Sequence, residues 1–450
     1  MATILGSSLA FVVGSIINVA LPSMQRHFAV DATGVQWIVN AYLLPLSALV
    51  LVGGALGDRF GRKRLFMLGL LGFTLATLGC ALAPTLPILL GFRFLQGIGA
   101  ALLAPNSLAI LADGFSGEER GEAVGTWAAA GAIAGAAAPL LGGLLIDALD
   151  WRWAFAIVVP PALAAGIVGQ RSIRESKEPG EERTPLDLQG ALLATLTLAT
   201  LVYALIRFPA AGWRDPRVLA AAVAGLAFGA AFLIVERRKR QEAMMPLGIF
   251  GSGSFSGISI LTLLLYGALG GVLVLLPYVL ITSLGFSATG AGAALLPFPL
   301  IMGTLSRSAG GWAVRIGIRT TLTVGPLLVA AGFVLFAVLA GPGMTYWSGI
   351  LPGLLVMASG MAISVAPLTT AVMNAVEQDY VGIAAGVNNA ISRTAGLIAT
   401  ALLGLVLVGA GEADVDLVAG FASAAWVGAA LAAGSALASF TLIREEAVAG

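Results

Sequence analysis

Residues 54–62 read Gly54-Ala55-Leu56-Gly57-Asp58-Arg59-Phe60-Gly61-Arg62 and stand between two long apolar runs, 36–56 and 65–83. Glycines at 57 and 61 permit a tight reversal and a close approach of the flanking segments. Lys63 and Arg64 follow, so the turn is basic, yet it holds one acid, Asp58, that topology alone does not require. A related turn, Gly311-Trp312-Ala313-Val314-Arg315-Ile316-Gly317-Ile318-Arg319, recurs in the second half of the chain. Each turn follows the second apolar run of its half, which points to an internal duplication.

Around these turns the chain is apolar. Hydrophobic types make up 58% of the 450 residues and charged types 10%, with a formal net charge of +1. Mean hydropathy is +0.97. A soluble domain carries roughly a quarter charged residues, so most of this surface must face lipid. That excludes a soluble enzyme, a disordered scaffold and a nucleic-acid binder, which needs a basic surface. The single cysteine, Cys80, rules out a disulfide framework, and the lone His27 cannot assemble a zinc site. No cofactor is implied, and the absence of a phosphate-binding loop excludes a primary pump.

A membrane-spanning helix needs about 20 apolar residues. By that measure the chain divides into fourteen runs: 3–24, 36–56, 65–83, 87–111, 122–147 and 153–170; then 188–207 and 217–235; then 254–281, 288–306, 320–340, 347–373, 384–409 and 420–443. The expected fold is an all-α polytopic membrane protein. Its domains are a six-helix bundle over 1–170, linkers and two inserted helices over 171–246, and a second six-helix bundle over 247–450. Cations favour the cytoplasmic side of a membrane. Arg59, Arg62, Lys63, Arg64, Arg237, Arg238, Lys239 and Arg240 fall on one side, against Arg26, Arg152, Arg207, Arg214 and Arg217 on the other. Both termini are therefore expected in the cytoplasm.

Two cations lie within apolar runs, Arg93 and Arg393. A guanidinium inside a bilayer is costly and is expected to face a cavity and find partners. Gln96 lies one turn from Arg93, and Asn388 and Asn389 one turn from Arg393. In the fifth run Gly131, Gly135, Pro139 and Gly143 recur every four residues, with Gly142 beside them, and so share a face suited to close helix packing. The uncharged cavity candidates are Ser15, Asn18, Gln36, Trp37, Asn40, Tyr42, Asn106, Trp127, Asn388 and Asn389, with Val13 near the middle of the first run. All 23 acids fall in connections or near run ends, Asp113 and Asp147 among them. An apolar pocket with a few amides and aromatics suits a neutral, anionic or amphipathic compound.

Taken in order, the motifs resemble those of the major facilitator superfamily, in its fourteen-helix drug:proton antiporter branch. They are Asn18 to Pro22, Gly54 to Arg62, Arg93-Phe94-Leu95-Gln96-Gly97-Ile98-Gly99-Ala100, Gly131 to Gly143, and Trp151-Arg152-Trp153-Ala154-Phe155 with Pro160 following. The resemblance implies a major facilitator fold of two six-helix bundles with a two-helix insert. It implies a bacterial inner-membrane transporter, not an enzyme, that exports drugs or antibiotics. Gly54, Asp58, Arg59, Gly61 and Arg62 would form a conformational latch. Arg93, Gln96 and Gly97 would serve coupling, with Arg393 in a weaker polar patch, and the fifth-helix motif would seal or hinge. The implied partners are a small amphipathic substrate, the lipid bilayer and protons, with a monomer as the functional unit. The sequence departs from the family at Val13, where an Asp is usual, which removes the customary proton carrier. Asp147 with Arg93 is the alternative carrier. A lipid, glycolipid or anionic-metabolite exporter of the same fold, or an uncoupled one, stays open.

Overall fold

The computed structural model describes residues 1–115, 117–176, 187–377, 380–407 and 417–444; the linker 177–186, which holds Lys177 and Arg183, lies outside them. The described residues are almost wholly helical. The first five helices are α1 (Ala2–Phe28), α2 (Ala32–Phe60), α3 (Arg62–Ala81), α4 (Leu86–Gly114) and α5 (Gly117–Ala148). The short α6 (Trp153–Ala156) and α7 (Val159–Ser172) make the sixth span, interrupted just before Pro160 and Pro161. The insert is α8 (Leu188–Ala211) and α9 (Pro216–Lys239). The second half holds α10 (Gly253–Thr282), α11 (Ala288–Ala294), α12 (Pro297–Ile316), α13 (Ile318–Leu339), α14 (Leu351–Asn374), α15 (Val381–Leu402), α16 (Gly404–Leu407) and α17 (Leu417–Leu442).

Thirteen helical stretches among the described residues are long and apolar enough to cross a membrane. The fourteenth expected span is α15, which has 22 residues but carries Asn388, Asn389, Ser392 and Arg393. The tenth span is broken, because Pro297 at the head of α12 has no N–H to continue the ladder from α11.

Contacts divide the chain into two units: Met1–Met244 with Ser287–Ala293, and Met245–Phe286 with Ala294–Gly450. The insert, expected as a separate element, groups with the first six helices because α8 packs on α2. The seven residues Ser287–Ala293, expected in the second bundle, group with the first unit as well.

Both units use the same pairing scheme. In the first, α1 packs on α5 and α4 on α2 and α3; in the second, α10 packs on α15 and α14 on α12 and α13. Both recurrent turns depend on glycine. Gly61 links α2 to α3 at φ 112°, and Gly317 links α12 to α13 at φ 89°, values that an L side chain rarely adopts. Packing of α4 on α2 needs bare backbone too. A methyl group at Gly97 would overlap the Tyr42 carbonyl oxygen, and one at Gly53 would overlap the Ala101 carbonyl oxygen. Asn106 uses this approach to donate to the Gly53 carbonyl at 2.9 Å.

Charge closes the insert at its basic end. Asp187 caps α8 by accepting from Gly190 N at 2.7 Å, and pairs with Lys239 Nζ of α9 at 2.5 Å. Burial opposes its charge, but Lys239, the Gly190 and Met244 N–H groups and the Glu236 side chain outweigh this and hold the carboxyl below the usual range.

Gly97→Ala is expected to destabilise the first unit by about 1–3 kcal/mol, the usual cost of overpacking. A lowered thermal midpoint of the purified protein in detergent, beside an unchanged midpoint for Gly91→Ala, where a Cβ meets nothing within 4 Å, checks this.

Candidate functional site

The Gly54–Arg62 turn sits at the basic end of the first unit. Arg62 Nε donates to Asp58 at 2.8 Å, one helical turn back, and Arg62 Nη1 pairs with Asp113 of α4 at 2.5 Å. By sequence Asp113 is only an acid near a run end; its pairing appears once α4 is laid beside α2 and α3. Glu175, past the end of α7, accepts from the Lys63 and Arg64 N–H groups at 3.1 and 3.2 Å and so caps α3. A Cβ at Gly61 would clash with that Glu175 carboxylate. Arg59 is exposed and lies over Phe60. Gly54 stands beside Pro105. These partners of the turn all belong to the first unit. A cavity of about 540 Å³ opens next to Asp113, between Met1–Thr3, the end of α4 and Ser172–Ser176.

Arg93 is the largest fully buried side chain among the described residues, 0% exposed. It was expected to face a cavity; instead it is packed inside the first unit. Its Nε donates to the Ile38 carbonyl of α2 at 3.0 Å, and Nη1 donates to Gln96 Oε1 at 2.8 Å. Gln96 Nε2 passes the chain on to Thr77 Oγ1 of α3 at 2.7 Å. The guanidinium lies 4.5 Å from the Tyr42 ring centroid and 5.9 Å from that of Phe155. Ring faces and a carbonyl thus stabilise a desolvated cation without a carboxylate among these contacts. The arrangement ties α2, α3 and α4 together.

Several other expected cavity residues are buried as well. Val13 is 0% exposed and belongs to an apolar cluster with Leu9, Leu46, Phe66, Leu70 and Phe73. Tyr42 is part of that cluster, and its hydroxyl donates to the Ala10 carbonyl at 3.3 Å. Gln36, Asn40 and Asn106 are buried, with Asn40 donating to the Gln36 carbonyl at 3.0 Å. Trp37 turns to the insert and meets Tyr203 of α8, centroids 6.4 Å apart. Residue type alone cannot separate an amide facing a cavity from one satisfied inside a bundle.

In the first unit, Trp37 aside, the expected cavity residues that remain accessible lie together on α1 and α5. Ser15 and Asn18 are half-buried, and Phe11, which carries no signal in the sequence, is 43% exposed. Gly131 and Gly135 of α5 lie against Phe11, with Ser15 also beside Gly135, and Gly142 lies against Ile16. Trp127 of α5 is half-buried, and its Nε1 donates to Ser7 Oγ at 2.6 Å and Ser107 Oγ at 3.1 Å. Both serines donate in turn to the Thr3 carbonyl, at 2.8 and 2.9 Å. The indole is therefore held in one orientation. A single aromatic among small or polar residues at helical spacing marks this face on each helix, Phe11 with Ser7, Ser15 and Asn18 on α1 and Trp127 with Gly131 and Gly135 on α5.

At the other end of α5 the glycine motif meets the segment Ser287–Ala293. A methyl at Gly143 would overlap the Ala288 carbonyl, and one at Gly292 would overlap the Pro139 carbonyl. Within the second unit, Asn388 accepts from Thr262 at 2.7 Å. Arg393 is half-buried, and its Nε donates to the exposed Asn389 Oδ1 at 3.1 Å.

The profile of the Major Facilitator Superfamily matches residues 3–400. The multidrug resistance protein Stp of Mycobacterium tuberculosis is 32% identical over 409 residues, covering 90% of this chain and 75% of its own length. The puromycin resistance protein of Streptomyces alboniger is 34% identical, covering 91% and 82%. The methylenomycin A resistance protein of Bacillus subtilis is 32% identical, covering 90% and 86%. Among solved structures, a D-xylose–proton symporter shares the fold with a TM-score of 0.71 at 17% identity, over 99% of this chain and 97% of its own.

Val13→Asp is expected to lower the thermal midpoint sharply, since a carboxyl without partners in an apolar cluster costs about 2–7 kcal/mol even when neutral. Ser15→Asp, on the half-exposed face, is expected to be tolerated. Arg93→Ala is expected to destabilise too, and Arg93→Lys to rescue poorly, because an ammonium cannot span Ile38 and Gln96 as the planar fork does. Thermal unfolding of the variants in detergent checks all of these.

Proposed function

Because this chain belongs to the Major Facilitator Superfamily, we propose that this multi-pass membrane transporter is a secondary exporter of small amphipathic compounds of the drug or antibiotic type. The observation that carries the reading is that relatives at 30–34% identity, matched over most of both chains, are antibiotic and multidrug resistance proteins.

The face formed by Phe11, Ser15 and Asn18 of α1 with Trp127 of α5 supplies the substrate contacts of the first unit. It offers a fixed indole, an exposed phenyl ring, a hydroxyl and an amide, with no charge. Such a surface holds the apolar body of a compound by area and orients it with a few hydrogen bonds. Asn389 and Arg393 supply the polar contacts of the second unit. Arg93 acts from behind, by fixing α2 and α4, and is a positioning residue. The Asp58–Arg62–Asp113 cluster works as the latch, because breaking it leaves charges to be resolvated each time the unit changes state. The protein sits in a bacterial inner membrane as a monomer with both termini in the cytoplasm, and exchanges substrate for protons.

The test is accumulation of a chemically varied compound panel in cells with and without the protein. Expression is expected to lower accumulation of at least one amphipathic compound severalfold, with the effect lost when the proton gradient is collapsed. Trp127→Leu is expected to weaken it while leaving folded protein in the membrane. No change for any compound, together with altered lipid or glycolipid export, would replace this reading with the lipid one.

A further inference from the structure

Asp147 stands in the last turn of α5, four residues past Gly143. Its two carboxylate oxygens accept from consecutive backbone N–H groups, Ala288 N at 3.1 Å and Thr289 N at 2.8 Å. These N–H groups open α11 and have no helical acceptor of their own. One turn away on each helix, Gly143 receives the Ala288 carbonyl and Gly292 receives the Pro139 carbonyl. Two backbones therefore touch at two reciprocal points, and one carboxylate locks the end of that contact. The locked segment, Ser287–Ala293, groups with the first unit but is covalently continuous with α10 and α12 of the second. Any relative movement of the two units must carry or break it.

We infer that Asp147 is the proton-responsive clamp of this transporter: ionised, it pins Ser287–Ala293 to α5, and protonated, it releases the segment. The inference rests on the exporter reading and names its coupling group. A carboxylate accepts at both oxygens, whereas a carboxylic acid must spend one oxygen on its own O–H. A proton taken from water at this end of α5 therefore removes at least one charge-assisted bond. The same proton returns to water when the segment docks again. The titratable and charged groups on the elements packed against α5 are Arg26, His27, Arg93, Asp113 and Arg152, and none of them forms an ion pair with Asp147 among the described residues. Arg152, just ahead of α6, contacts Asp150 at 3.0 Å and His27 of α1 at 3.2 Å. On α4, Arg93 is held by Ile38 and Gln96, and Asp113 by Arg62. Arg26 completes the set on α1, and Ser287–Ala293 has no titratable side chain. Among the described residues Asp147 makes no ion pair, so its charge is held by the Ala288 and Thr289 N–H groups and the Ser287 and Thr289 side chains of the segment it clamps. This supplies a carrier in a chain where position 13 is buried Val.

The experiment uses the full-length protein in detergent with Ala288→Cys, whose site is 6% exposed. Cys80, 0% exposed, stays in place as a reporter of global folding. Labelling by a neutral maleimide is followed from about pH 8 down to about pH 2.5, through and below the carboxylate range, and each rate is divided by that of the unfolded protein at the same pH. The thiol introduced at position 288 is expected to react at least about tenfold faster at the acid end, as for loss of a charge-assisted hydrogen bond, while Cys80 stays unreactive. Added Asp147→Asn is expected to make the introduced thiol fast at both pH values and to abolish the pH response. A labelling rate at position 288 that does not change with pH in the parent overturns the inference, as does a pH response that survives Asp147→Asn. The labelling needs no substrate, so failure of the exporter reading shows separately in the accumulation assay.

Discussion

The close approach of one helix backbone to another at bare glycine is the constraint on which the first unit depends. Between lipid-exposed helices there is no hydrophobic driving force, since lipid tails are as apolar as leucine. Association then rests on van der Waals contact and on polar groups meeting across the interface. Gly97 against Tyr42 and Gly53 against Ala101 bring α4 onto α2 closely enough for Asn106 and Arg93 to reach carbonyls of the facing helix. Without that proximity the Arg93 guanidinium would be an unmatched charge in an apolar medium. The same device at Gly143 and Gly292 seats Ser287–Ala293 on α5 and places two N–H groups under Asp147.

Polarity is sorted by depth as a consequence. Carboxylates cluster at helix ends, where Asp187, Asp58, Asp113 and Asp147 each close a junction between elements. Deeper inside the first unit, the polar groups described above are neutral, apart from Arg93, and are held within the bundle. This leaves an accessible face on α1 and α5, where Phe11 and Trp127 stand among Ser15, Asn18 and glycines.

Much of the fold was legible in the chain because lipid imposes a simple rule. A spanning helix must be long and apolar, so the runs appear in composition alone. Thirteen of the fourteen meet that rule as helices, and the fourteenth, α15, falls short only through its polar residues. The duplicated turn was legible because glycine readily accepts the φ that Gly61 and Gly317 adopt. The site was less legible. Val13, Gln36, Asn40, Tyr42 and Asn106 read as cavity residues because the type of a side chain does not reveal which way its helix is rotated. Phe11 escapes a sequence reading because a phenylalanine in an apolar run carries no signal by itself.

The resemblance of its motifs pointed to the family, and the sequence by itself determined the membrane setting, the order of the spans and the repeat. These last three follow from local apolar length, glycine spacing and the placement of charge. The tertiary structure decided the partners. It turned Arg93 into an internal tie, gave Arg62 its second acid, Asp113, and attached Ser287–Ala293 to α5. Those outcomes depend on which helices are neighbours and on their rotation about their own axes. That is set by backbone approach between residues as far apart in the chain as Ile38 and Arg93, or Asp147 and Ala288, which no local pattern encodes.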